Sequence, residues 1–317
     1  MVSLEGRDIL AVKDFTREEI TKILDVTDDF IKIAYNARGH KLDLLQGKVL
    51  ATLFFSPSTR TQFAFQSAML KLGGGYVGFS GIAGTSYARG EAFEDGIRMY
   101  DSFADIICIR HPEPFSAADA ARVAEKPVIN CGDGTNEHPT DCFHELSVIR
   151  RRFGKLEGKT IVMVGDLKSV RTAHSLSYGC AIFDMNMIFA APKGREMPEE
   201  ITKELKRRYN AKITEIDVSE LKNAIKEADI LYEVPVLPDF FKDKEEYERC
   251  HGTYKVDLAL LREAGVKDDF LVLHPLPRHD ELARDIDATN YAGYWEKYRI
   301  AIPQKMALLS LILGAIK

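Results

Sequence analysis

The sequence has no Cys-x-x-Cys pair, no apolar run long enough to cross a bilayer, no tract of low complexity and no repeat of solenoid length. Each absence removes a class of protein. The five cysteines, Cys108, Cys131, Cys142, Cys180 and Cys250, are odd in number and scattered, so no disulfide framework is expected. A reduced, cytoplasmic chain with buried thiols fits that usage. The first eight residues contain no apolar signal-peptide core, and a bilayer span needs about 20 apolar residues in a row. Neither secretion nor membrane insertion is expected. The formal net charge is −5, so no overall positive field exists to attract nucleic acid. Glycine-rich dinucleotide signals are missing too. Gly165-Asp166-Leu167-Lys168 stands where a doubly wound nucleotide-binding enzyme would carry G-x-G-x-x-G, which ranks that reading low.

What is present is an alternation of short apolar strands and helical periodicities. The 317 residues exceed the roughly 100 to 200 of a typical single domain, so two α/β domains are expected. Residues 16–36 have an acidic first turn and helical spacing of Ile20, Ile23, Leu24, Val26 and Ile31. Strands are predicted at 48–55, 76–79, 104–110 and 127–131, with helices over 61–72, 91–103 and 140–152. A second set has strands at 159–166, 187–192, 228–232 and 270–275, and a charged helix over 198–208. Residues 238–268 read as charged and irregular, and a last apolar helix is predicted from 305 to 316. Strands alternating with helices imply parallel sheets with crossover helices. The expected boundary lies near 150–157, giving domains 1–150 and 151–299, with a helix in 300–317 packing back on the first.

Ser58-Thr59-Arg60-Thr61 follows the first strand and opens a helix. Free N–H groups and the positive end of the helix dipole converge at such a position, and hydroxyls and a guanidinium add donors suited to phosphate. Alone, the segment reads equally well as an N-cap beside a surface arginine. Three other segments weigh against that reading. Arg110-His111-Pro112, His138-Pro139-Thr140 and His274-Pro275-Leu276-Pro277-Arg278 each end a strand or the loop after one. In an open parallel sheet, ligands bind beyond the carboxyl ends of the strands.

These segments, with Gly132-Asp133-Gly134-Thr135-Asn136-Glu137 and Val164-Gly165-Asp166-Leu167-Lys168 followed by Arg171-Thr172 and His174-Ser175, occur in an order that resembles the aspartate/ornithine carbamoyltransferase family, on its aspartate branch. The resemblance runs over nearly the whole chain. It implies two domains, each a parallel sheet flanked by helices, with the active site in the cleft between them. The first domain would bind carbamoyl phosphate and the second the amino acceptor. By resemblance, Ser58, Thr59, Arg60 and Thr61 hold the phosphate, and Arg110 and His138 contact the carbonyl oxygen. Arg60, Arg110 and His138 are then the catalytic set. Leu276, held by Pro275 and Pro277, offers its backbone carbonyl to the incoming amine, and Arg171 and Arg278 remain to clamp one carboxylate of the acceptor. Ser86 and Arg89 fall in a loop that in the family reaches a neighbouring subunit's site, which implies a homotrimer with shared sites. No metal and no organic cofactor are implied, and a regulatory chain is left open. The reaction would be pyrimidine-pathway carbamoyl transfer.

The pattern also breaks. Asp141 stands where a Gln usually contacts the carbamoyl amino group, and Gln62 stands where a second Arg is common. The segment Glu233-Val234-Pro235-Val236-Leu237 puts Pro235 and Leu237 where the branch usually has an Arg and a Gln for the acceptor. Neither side chain can donate a hydrogen bond. Aspartate is slightly favoured as acceptor, and the alternative is a different amine, amide or ureido compound. A reading from another class is a catalytically silent binding or scaffold homologue, against which the retention of Arg60, Arg110 and His138 argues.

Overall fold

The structure, a computed structural model, describes residues 2–34 and 42–316. It divides into two units, Met1–His144 with Tyr298–Lys317, and Glu145–Lys297. The first unit contains α1 (Arg17–Ala34), β1 (Val49–Phe54), α2 (Thr59–Lys71), β2 (Gly75–Ser80), α3 (Phe93–Phe103), β3 (Ile106–His111), α4 (Ser116–Val123), β4 (Val128–Asp133) and the start of α5 (Pro139–Phe153). Residues 35 and 36 of the expected first helix lie outside the described residues. All strand pairs are parallel, in the order β2-β1-β3-β4. The order reverses direction at β1, so β1 and β3 lie side by side at a switch point where two successive loops diverge. Ala51, Leu53, Ile107 and Ile109 pack with Ile97 of α3 and Ala117 and Ala120 of α4 on one face of this sheet.

The second unit holds the end of α5, then β5 (Thr160–Val164), α6 (Arg171–Ile182), β6 (Asn186–Ala191), α7 (Glu199–Tyr209), β7 (Ile213–Asp217), α8 (Leu221–Glu227), β8 (Ile230–Glu233), α9 (Lys244–Cys250), α10 (Leu258–Ala264), β9 (Leu271–Leu273) and the first residues of α11 (Gly293–Ile312). Its five strands are also parallel, in the order β7-β6-β5-β8-β9. The switch point here lies between β5 and β8. Gly165, at φ +124, lets the two strand ends approach, because a Cβ there would sit 2.1 Å from the Val234 carbonyl oxygen.

Two expectations are corrected. Residues 238–268 are not irregular: they carry α9 and α10, each opened by an aspartate, Asp243 or Asp257, whose carboxylate accepts from the third residue beyond it. The charge density that masked them is largely their solvent face. The last helix begins at Gly293 rather than 305. α5 continues to Phe153, and the division between the two compact units falls inside it, between His144 and Glu145. Periodicity also passed over β7, α4, α6 and α8, which are short or nearly uniform in polarity. All five cysteines are free and buried, and no helix among the described residues is long and apolar enough to cross a membrane.

Candidate active site

Strand β1 ends at Phe54, beside Arg110 of β3 in the parallel register, and Phe55 N–H donates to the Arg110 carbonyl at 2.8 Å. Three residues on, Ser58 caps α2 by accepting from the Thr61 N–H at 3.3 Å. Ser58, Thr59, Arg60 and Thr61 are therefore carried on a helix N-terminus directly above the β1–β3 switch point. Gln62 does not join them: buried, it donates to the Phe79 carbonyl at 3.0 Å and ties α2 to the end of β2.

Arg110 is the second positive group at this point. Its Nη1 donates to the Cys131 carbonyl at 3.3 Å, while its Nε is buried without a hydrogen-bond partner among the described residues. Burial pulls this guanidinium below the ordinary arginine range, and the nearby Arg60 pulls the same way, against Cys131 and Asp141. His111, next in sequence, is a packing residue. Its ring packs edge-on against Phe55 with ring centres 4.6 Å apart, and its Nδ1 accepts from the Glu113 N–H at 3.0 Å.

The loop after β4 is held by Asp133. Its Oδ1 accepts from Asn130 Nδ2 at 2.8 Å and from the Glu137 N–H at 3.2 Å. Gly134, at φ +48, passes so close to the chain that a Cβ would lie 2.5 Å from the Pro114 nitrogen. Glu137 in turn accepts from the Val12 N–H at 2.7 Å. The loop is thus a braced support that delivers His138 to the start of α5, with the Thr140 hydroxyl 3.3 Å from its Nδ1. Asp141 follows in the first turn of α5. Asp133 and Glu137 were not singled out as supports, and the only sequence signal for them was the polar, glycine-spaced loop itself.

Ser86 and Arg89 lie on a short 3-10 turn, where Arg89 Nη2 donates to Ser86 Oγ at 3.1 Å. Tyr87 anchors the turn. Its ring packs on Phe55 at 4.7 Å and its hydroxyl donates to the Phe93 carbonyl at 3.3 Å. The loop is therefore fastened to the residue that precedes the Ser58 segment, with its two polar residues bonded to each other.

The other expected residues belong to the second unit. Arg171 is the first residue of α6, after the β5 turn. Leu276, at φ +49, and Pro277 follow β9 and are joined by a cis peptide. His274 Nδ1 accepts from the Leu276 N–H at 2.8 Å, so the ring proton sits on Nε2 and faces Glu281 Oε1 at 3.1 Å. That buried pair fixes the turn presenting the Leu276 carbonyl. Arg278, expected with Arg171 to remain for clamping one carboxylate, is paired within the second unit. Its guanidinium grips both oxygens of Asp287, at 2.5 and 2.6 Å, and Arg278 holds the Asp287 carboxyl down at about 2. Two further residues of this unit gave no signal as site residues. Arg195 is buried, donates to the Phe240 carbonyl at 2.7 Å and lies 3.6 Å from the centre of the Phe241 ring. Glu233 is fully buried at the end of β8 with neither carboxylate oxygen hydrogen-bonded among the described residues.

Comparison with known proteins identifies the family. Residues 7–151 match the family description "Aspartate/ornithine carbamoyltransferase, carbamoyl-P binding domain", and residues 157–312 match "Aspartate/ornithine carbamoyltransferase, Asp/Orn binding domain". The chain is 41% identical over 313 residues to the aspartate carbamoyltransferase catalytic subunit of Thermococcus onnurineus, covering 99% of each. It is 40% identical to that of Methanopyrus kandleri, again over 99% of each chain. Among solved structures, the catalytic subunit of M. jannaschii aspartate transcarbamoylase superposes with a TM-score of 0.86 at 37% identity, covering 97% of this chain and 98% of that one. The Trypanosoma cruzi aspartate transcarbamoylase in complex with N-(phosphonacetyl)-L-aspartic acid superposes with a TM-score of 0.91 at 30% identity, covering 98% and 97%. On the sheets, the switch-point residues and these full-length matches, the chain belongs to the aspartate/ornithine carbamoyltransferase family, on its aspartate branch, and is a transferase.

Proposed function

We propose that the chain transfers the carbamoyl group of carbamoyl phosphate to the amino group of aspartate. The observation that carries this reading is the placement of Arg60 at the capped N-terminus of α2, which follows β1, while Arg110 ends the neighbouring strand β3 in register with Phe54 and the two guanidiniums feel each other's charge. Like charges repel, so a fold that brings two guanidiniums together is suited to an anion between them. The phosphate would lie on Ser58, Thr59, Arg60 and Thr61. Arg110 and His138 would hold the carbonyl oxygen. His138, whose Nδ1 lies 3.3 Å from the Thr140 hydroxyl, would donate a hydrogen bond to that oxygen from its other ring nitrogen. Negative charge grows on the carbonyl oxygen as the amine nitrogen attacks, and preorganised donors stabilise it where it develops. A C–N bond forms, the C–O bond to phosphate breaks, and the proton lost by nitrogen leaves with the phosphate. Asp141 would accept from the carbamoyl amino group. Arg171 would bind an acceptor carboxylate, and the Leu276 carbonyl, steadied by Pro277, would accept from the incoming amine.

One specific observation favours a second acceptor. Arg278 is occupied by Asp287, and Pro235 and Leu237 offer no donor, so an amine less anionic than aspartate fits the second unit equally well on charge. Phosphate release with carbamoyl phosphate and a panel of amines separates the two readings. Turnover with aspartate supports the first, and inertness of aspartate beside turnover of another amine overturns it. Arg60→Ala is expected to abolish turnover and the thermal shift given by a phosphonate mimic of the donor, with the unliganded melting temperature nearly unchanged. Retained activity would remove the phosphate assignment. The reading extends to a cytoplasmic homotrimer in which Ser86 and Arg89 of one subunit complete the carbamoyl-phosphate site of the next.

A further inference from the structure

Lys305 of α11 is buried, with 1% of its surface exposed. Its Nζ lies 2.7 Å from Gln304 Oε1, 3.3 Å from the Thr140 carbonyl and 3.1 Å from His144 Nε2. An ammonium has three protons and no lone pair, so His144 Nε2 is the acceptor and the ring proton sits on Nδ1. His144 Nδ1 is in turn 3.7 Å from Asp141 Oδ1, an electrostatic contact just longer than a hydrogen bond. The three residues form a line from a buried cation to the carboxylate at the first turn of α5. His144 is buried, and 14% of the Asp141 side chain is exposed.

We propose that Lys305 and His144 are positioning residues that hold Asp141 ionised and oriented toward the carbamoyl amino group, and that this line selects a carbamoyl over an acyl donor. The proposal rests on the reading of Asp141 as a donor-site contact. A carboxylate accepts from an N–H more strongly than a neutral amide oxygen does. It also fixes which way round the carbamoyl group sits: amino group to Asp141, carbonyl oxygen to Arg110. A methyl in place of the amino group would remove the N–H that this carboxylate accepts from, which weakens binding of an acyl donor.

Charged and titratable groups from several elements face this line. Arg110 of β3 interacts electrostatically with Asp141 and with Arg60 of α2. His138 and Thr140 precede Asp141 on its own segment. Cys108 of β3 faces Lys305, with Cys131 of β4 next to it, and burial pushes the Cys108 thiol up, so it stays neutral. The Phe65 ring of α2 lies 5.0 Å from Lys305 Nζ.

The test is the pH dependence of kcat/KM for carbamoyl phosphate in the full-length enzyme, with acetyl phosphate as competing inhibitor, for Asp141→Asn, His144→Phe and Lys305→Met. In His144→Phe and Lys305→Met, the acid limb of the profile is expected to move to higher pH. KM for carbamoyl phosphate is expected to rise about tenfold with a smaller change in kcat, and inhibition by acetyl phosphate to strengthen relative to substrate binding. In Asp141→Asn the limb should vanish. If folded His144→Phe keeps the wild-type limb and KM while Asp141→Asn loses them, the positioning line is overturned and the contact stands. If Asp141→Asn itself keeps the wild-type limb and KM, both fail. His144→Phe keeps the ring volume and decides the matter should Lys305→Met not fold.

Discussion

Glu233 shows how one residue can be out of keeping with its strand. It ends the apolar run Ile230-Leu231-Tyr232, beside Val164 of β5, and is wholly buried with both oxygens unpaired by hydrogen bonds among the described residues. Burial, reinforced by Glu281, pushes its carboxyl well above the ordinary glutamate range. A carboxyl whose pKa rises on folding binds its proton more tightly in the native state. Its contribution is therefore favourable at pH below the unfolded value, near 4.5, and is lost as pH rises through the native value. Glu233→Met should raise stability at neutral pH by roughly 1–3 kcal/mol, the usual cost of a buried polar group without a partner. It should also flatten the decline of stability on the alkaline side. Chemical denaturation at pH 5 and pH 8 checks this: a variant no more stable than wild type at either pH would show that Glu233 has a partner in solution. Arg278 and Asp287 have the opposite character. Their paired geometry holds Asp287 at about 2, so the stabilisation is present above the ordinary aspartate value and disappears only as pH falls through about 2.

At the scale of elements, α5 and α11 matter most, because the division between the two units falls inside both. Within the second unit they are joined by Lys297 Nζ and Glu145 Oε1 at 2.6 Å, with side chains 2% and 1% exposed. Removing one partner of a buried pair leaves a charge uncompensated, whereas replacing both with apolar groups is often nearly neutral. Lys297→Met should cost about 3–5 kcal/mol, and Lys297→Met with Glu145→Leu should recover most of it. Melting curves of the two variants distinguish this pair from a surface contact: equal destabilisation by both would place the cost in packing instead. In the first unit, the same two helices meet through Lys305, His144 and the Thr140 carbonyl. α11 thus supports the His138–Asp141 turn from behind, a role that its apolar sequence Met306-Ala307-Leu308-Leu309 does not advertise.

For the whole molecule, the proposed shared site makes a prediction that a self-contained subunit would not. A trimer with Arg60 and Arg89 supplied by different subunits should lose activity in Arg60→Ala and in Arg89→Ala separately. Mixed trimers of the two inactive chains should regain it, because one interface then pairs two native residues. Activity assays after mixing and reassembly, with light scattering to weigh the assembly, test this. No recovery in a confirmed mixed trimer would mean that each subunit works alone.

Much of this was legible in the chain. Ser58-Thr59-Arg60-Thr61, Arg110 and His138 could be placed at strand ends because apolar runs of strand length stop where these polar residues begin, and parallel sheets gather such ends on one edge. The two-sheet architecture followed from the same alternation. Short elements such as β7 and α8, and the charged helices α9 and α10, escaped because a few residues carry too little periodicity to stand out. What the sequence could not determine is which partner each charged side chain takes. Arg278 lies nine positions from Asp287, Lys305 lies 161 from His144, and Lys297 lies 152 from Glu145. The sequence by itself determined which groups stand at the strand ends, because strand length and polarity are local properties. Only the tertiary structure decided that Arg278 is spent on Asp287 while Arg60 and Arg110 are held close together, because a charge pairs with whatever the fold brings within a few ångströms, however far away it is along the chain.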